Sequence, residues 1–125
     1  MNALPRAIQE PNLPIFVESS ISLKKLANFM GISHSVLAQI IKRDVRTVER
    51  DLASPSVFKQ IQPLVYALKM LFELTDGNGS EIQRWLREPL IEWRGLSPLD
   101  CLTSDKIDAV VNLVERIYYA DSAGY

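Results

Sequence analysis

Between residues 57 and 72 the chain sets Val57, Phe58, Ile61, Leu64, Val65, Leu68, Leu71 and Phe72 at helical intervals, the longest apolar periodic stretch in the sequence. Residues spaced this way fall on one side of an α-helix. A helix with so wide an apolar side is stable only when other elements cover it, so the rest of the chain has to supply packing partners. Pro63 interrupts the stretch. Proline removes a backbone donor and crowds the preceding turn, which predicts either a kink at Pro63 or a helix that starts there.

Shorter segments supply candidate partners. Ser22 precedes Leu23, Leu26, Ala27, Phe29 and Met30, and Gly31 breaks the run. Ser33 can cap a second helix carrying Val36, Leu37, Ile40 and Ile41, and Asp44 a third carrying Val45, Val48 and Leu52, which Ser54 and Pro55 stop. Beyond the central helix, Asp76-Gly77-Asn78-Gly79 predicts a loop between two lobes. Ser80 and Gln83 form a capping-box pattern before Ile82, Trp85 and Leu86, and Pro89 closes that helix. A turn-rich strap, Leu90 to Pro98, leads to one helical turn at Leu99 to Leu102. Thr103 or Ser104 then caps a last helix with Ile107, Val110, Val111, Val114, Ile117 and Tyr118 on its apolar face. Sustained period-two alternation is absent, so strands are not expected. The reading is all-α: an N-terminal lobe over 20–56, a central helix over 57–76 and a small helical C-terminal lobe over 77–125. Residues 1–19, with Pro5, Pro11 and Pro14, read as an extended arm, and Asp121 to Tyr125 as a loose tail.

The 125 residues, 47% of them hydrophobic, suffice for one compact core. Apolar runs are too short and too interrupted for a membrane span, and the N-terminus lacks the charged start and apolar core of a secretory signal. Cys101 is the single cysteine, so no internal disulfide forms. Together these predict a cytoplasmic protein without membrane contact. The net charge of −1 conceals a division. Residues 20–69 carry eight basic side chains against three acidic, whereas residues 70–125 carry five against ten. A polyanion is therefore expected to meet the first half, and a protein the second.

The run Leu37 to Leu52, Leu-Ala-Gln-Ile-Ile-Lys-Arg-Asp-Val-Arg-Thr-Val-Glu-Arg-Asp-Leu, resembles a helix-turn-helix. In such motifs a small residue, here Ala38, lets the second helix approach, and that helix turns its N-terminal residues toward base edges. Arg46, Thr47 and Arg50 become candidate DNA contacts, with Lys42 and Arg43 suited to phosphate. An earlier register stays open, with Ala27 as the small residue, Gly31 in the turn, and Ser33, His34, Ser35 and Gln39 as readers. The later one is preferred for its greater charge. With one histidine, one cysteine, no metal-ligand cluster and no phosphate-cradling glycine loop, neither catalysis nor a metal or cofactor is expected.

Arg84-Trp85-Leu86-Arg87-Glu88-Pro89, then Gly95-Leu96-Ser97-Pro98-Leu99-Asp100, then a helix from Val110 to Tyr119 with Arg116-Ile117 near its end, resemble the toxin-binding domain of Xre/MbcA/ParS antitoxins over about Ser80 to Ala120. The resemblance implies that 77–125 binds a toxin while 20–56 binds DNA. It further implies a homodimer that represses its own operon by binding operator DNA and occludes a cognate toxin, often a RES-domain enzyme that consumes NAD. Trp93, Arg94, Arg116, Tyr118 and Tyr119 are the candidate toxin contacts, because aromatics and arginine dominate binding energy at interfaces. The competing expectation is a stand-alone transcriptional regulator whose C-terminal lobe oligomerises or senses a signal.

Overall fold

The computed structural model describes residues 13–122, with side chains through Ala120. The first twelve residues of the expected arm, and residues 123–125 of the expected tail, lie outside the described residues. The described part is all-α apart from one tiny hairpin. Its helices are α1 (Leu23–Met30), α2 (His34–Ile41), α3 (Val45–Glu49), α4 (Pro55–Leu74), α5 (Gly79–Leu86), α6 (Pro98–Thr103) and α7 (Ile107–Ser122), with a 3-10 turn at Ile91–Trp93.

The front three helices are built on one recurring scheme. Ser22, Ser33 and Asp44, each eleven residues after the last, cap α1, α2 and α3 by accepting from the amides of Lys25, Val36 and Arg46. A side-chain oxygen at this position satisfies an amide that the helix itself leaves unbonded. Leu26, Leu37 and Val48 occupy the same place in each unit and are fully buried. Gly31 and Lys42 end α1 and α2 in the left-handed region, at φ 71° and 58°, each returning its N–H to carbonyls of the preceding turn. The two turns are therefore alike in geometry, although only one uses glycine.

Two strands, β1 (Phe16–Val17) and β2 (Ser20–Ile21), pair antiparallel with Phe16 opposite Ile21, contrary to the expectation of none. Two residues per strand are too few to register as alternation. The segment is fixed by Leu13 and Ile15, both buried, and by bonds from the Leu23 amide to the Asp51 carbonyl and from Ala53 to Ile21. Ser22 adds a side-chain link, its hydroxyl donating to Asp51 Oδ1 at 2.5 Å. That bond, helped by the Lys24 amide and the nearby lysines and opposed by burial, holds the Asp51 carboxyl below the usual carboxylate range.

α4 begins at Pro55 and runs unbroken through Pro63. Pro63 sits on the exposed side, so the carbonyl left without its N–H partner faces water. The opposite side, with Ile61, Leu64, Leu68 and Leu71, packs most extensively on α7 and also meets α2 and α5. One cluster of buried side chains reaches from Leu13 to Val114, so front and rear helices share a core.

Several helix ends differ from expectation. Asn78, not Ser80, caps α5, and Gln83 takes part in no capping box there. Gln83 Nε2 instead donates to the Asn28 and Phe29 carbonyls, while Arg87 donates to those of Met30 and Gly31. Thus α5 closes the C-terminal end of α1, where carbonyls lack partners and a cation is favourable. A Cβ at Gly31 would lie 2.8 Å from the Gln83 side chain, which would have to shift, and the φ of 71° also favours glycine. Ser97 and Asp100 make a true capping box on α6. Thr103 turns its hydroxyl back to Leu99 and Asp100, closing α6 rather than opening α7. The backbone of α7 continues to Ser122, two residues into the tail expected to be loose.

Candidate nucleic-acid and partner-binding surfaces

The α2–turn–α3 unit carries the sequence-derived DNA candidates at its surface. Lys42 is exposed, and its Nζ lies 2.7 Å from Asp105 Oδ2 in the turn between α6 and α7. Arg43 Nη2 is 3.5 Å from Ser56 Oγ. Arg46 folds back on Asp44, with Nε 3.1 Å from Oδ1, and this hydrogen bond depresses the Asp44 carboxyl below its ordinary range. Thr47 is half-buried, while Arg50, the residue closing α3, is exposed. The earlier register places Ser35 and Gln39 along the outer side of α2, with Gln39 Nε2 3.5 Å from the Thr103 carbonyl. His34 Nδ1 stands 3.8 Å from Glu49 Oε2, joining α2 to α3. With five residues, α3 extends only about 7 Å against about 12 Å for α2.

At the rear, Arg116 and Tyr119 stand three residues apart on the outer side of α7, where with Asn112 and Glu115 they border a shallow groove of about 490 Å³. Tyr119 is 56% exposed, the most open aromatic among the described residues. Its hydroxyl lies 3.2 Å from that of Tyr66 on α4. Chiefly through this bond the Tyr66 phenol is pushed up to about 12. Tyr118 does not share that face: it is half-buried, packs on the core, and donates to Glu73 Oε1 at 2.7 Å. Successive helical residues point about 100° apart, which separates the two tyrosines. Trp93 is also half-buried, one side laid on the core. Arg94 is exposed beside it, and Glu92 Oε2 bridges to Arg116 Nη2 at 3.7 Å, linking strap to α7.

The structure adds Tyr66, Ile91 and Leu96 to these surfaces. Tyr66 lies off the apolar stripe of α4, a signal the sequence did contain. Ile91 is 97% exposed and Leu96 43%, an unusual display for two aliphatic side chains on one short strap. Among the described residues, no group of three or more His, Cys, Asp and Glu could hold a metal, and no helix is long and apolar enough to cross a membrane.

An outward tyrosine and arginines stand at one end, and three short capped helices follow one another at the other. Residues 67–120 match the antitoxin Xre/MbcA/ParS C-terminal toxin-binding domain. That match supports the role of antitoxin in a toxin-antitoxin pair, with a cognate toxin as partner, and points to a regulatory protein rather than an enzyme. No curated protein matches the chain.

Proposed function

We propose that this chain is the antitoxin of a type II pair, acting in the cytoplasm as a homodimer that binds its toxin directly and represses its own operon. The observation that carries the reading is that the match over 67–120 contains the outward residues Arg94, Arg116 and Tyr119 and the half-buried Trp93. The toxin is of the RES type, consuming NAD, and the α7 face with its tail occludes the toxin's active site. Operator DNA is held by the 20–56 region through Lys42, Arg43, Arg46, Thr47 and Arg50, on half-sites one helical turn apart.

Co-expression with the toxin encoded beside this gene tests the first part. Growth arrest is relieved by the unaltered chain and returns with Arg116→Glu and Tyr119→Ala together, both exposed sites whose loss leaves the core intact. Persistent rescue moves the interface off α7. Footprinting on upstream DNA tests the second part: protection disappears with Arg46→Ala and Arg50→Ala. Protection that survives that pair but fails with Ser35→Ala and Gln39→Ala selects the earlier register. No protection with any form removes the DNA role.

A further inference from the structure

The strap joining α5 to α6 closes on itself. Leu90 N donates to the Leu96 carbonyl at 3.1 Å, Gly95 N to Leu90 at 2.8 Å, and Arg94 N to Ile91 at 2.9 Å. Beneath it lies a cavity of about 300 Å³, open to solvent, whose apolar walls are Trp93, Leu96, Cys101 and Ala109 and whose charged lining is Glu92, Arg94 and Lys106. Cys101 is buried, and burial pushes its thiol up, so it is a neutral apolar wall. Lys106 and Arg94 stand at the mouth. Neither side chain has an ion pair among the described residues, and the one carboxylate in the lining, Glu92, is bridged to Arg116 at 3.7 Å. The Lys106 amide is fixed to the Cys101 carbonyl at 2.8 Å, which anchors the backbone from which this side chain springs.

A cavity with apolar walls, two cations that lack ion pairs and one carboxylate already bridged to Arg116 selects its occupant by two requirements at once. A bare phosphate would satisfy the cations and leave the floor wet, whereas an aliphatic group alone would fill the floor and leave the cations unanswered. Both are met by an apolar side chain with a carboxylate next to it. Exposed Ile91 extends the apolar surface outside the cavity, and the Glu92–Arg116 bridge makes the strap continuous with the α7 face. These two facts favour a polypeptide over a small acid.

We infer that this cavity is a docking pocket for the partner toxin, taking one apolar side chain of the toxin and the carboxylate adjoining it, with Arg94 and Lys106 as the residues that read the charge. The inference rests on the antitoxin reading above and adds the chemistry of the segment recognised.

The test uses the full chain and three capped dipeptide probes, acetyl-Leu-Glu-amide, acetyl-Leu-Gln-amide and acetyl-Gly-Glu-amide, followed by amide chemical shifts at millimolar peptide. The Leu-Glu probe should perturb Trp93, Lys106 and Ala109 and bind at least about tenfold more tightly than either control, since each control lacks one of the two requirements. Arg94→Glu with Lys106→Glu should abolish the effect, and Ala109→Phe, which fills the cavity, should do so without altering charge. No perturbation, equal response to all three probes, or a response surviving both variants overturns the proposal. With the toxin itself, the charge reversal should weaken binding by about tenfold or more. Toxin binding that disappears in Tyr119→Ala but is retained in the charge reversal overturns the pocket and leaves the antitoxin reading standing. A chain that takes the Leu-Glu probe but binds no toxin overturns the antitoxin reading and the toxin as occupant, while leaving the pocket's preference for an apolar side chain beside a carboxylate.

Discussion

The two ends of this molecule treat their polar and apolar surfaces differently. In front, most charged candidates are already engaged: Lys42 with Asp105, Arg46 with Asp44, Arg43 with Ser56. Each front helix repeats the same cap and buried aliphatic, and the first two the same turn, so this surface follows from a regular scaffold. At the rear, irregular segments leave Ile91, Leu96 and Tyr119 outward, and Arg94 and Lys106 without ion pairs among the described residues. An end whose groups are satisfied internally must exchange those partners to bind, whereas one that leaves apolar groups in water gains by covering them.

The strongest way to break that contrast is to ask whether the ends are separate at all. Leu64→Ala, deep in α4, should cost about 3 kcal/mol and lower one common transition in urea, followed by both circular dichroism and tryptophan fluorescence. Transitions that part company would show two independently stable halves. Next in size, Tyr119→Ala with Arg116→Glu should weaken toxin binding about 10- to 100-fold while duplex affinity, read by fluorescence anisotropy, stays unchanged. In the reverse sense, Arg46→Ala with Arg50→Ala should lower duplex affinity about tenfold and flatten its salt dependence, the log–log slope falling by about one for each phosphate no longer neutralised, with toxin binding unaffected.

Smaller effects sharpen the comparison. Ser22→Ala removes a helix cap and the donor to Asp51, at a cost of about 1 kcal/mol near neutral pH, measured by thermal unfolding. Because the folded state holds the Asp51 carboxyl below its ordinary 3.8, the wild-type advantage is full above that pH and fades as acid protonates the folded form. The gap between wild type and variant should therefore narrow in acid to the share that the Lys25–Ser22 cap bond contributes. Asp105→Asn frees Lys42 from an exposed pair, and stability should change by less than about 1 kcal/mol. Duplex affinity should rise only about twofold, since the displaced partner was weakly held.

Local chemistry was the legible part of the fold. Ser22, Ser33 and Asp44 are readable as caps because the bond each makes spans only two or three residues. Ser80 and Asn78 are equally plausible caps by type, and the choice follows from Gln83, which is drawn away to α1. The hairpin escaped notice because its order comes from Ile15 and Ile21 in a distant core, not from alternation. For the candidate surfaces, residue type pointed to Trp93, Arg94, Arg116, Tyr118 and Tyr119, but not to their orientation: Tyr118 is half-buried and donates to Glu73. The pocket was unreadable in advance, since Trp93, Cys101 and Ala109 meet only once the strap, α6 and α7 have packed.

The matched residues begin at position 67, twelve residues inside a helix that opens at Pro55. A chimera that grafts a foreign rear segment at that boundary would splice through the middle of α4, parting Leu68 and Leu71 from Ile61 and Leu64 on the same buried stripe. Exchanging partner specificity between such proteins therefore calls for a junction before Ser54, so that the whole shared helix travels with its cap.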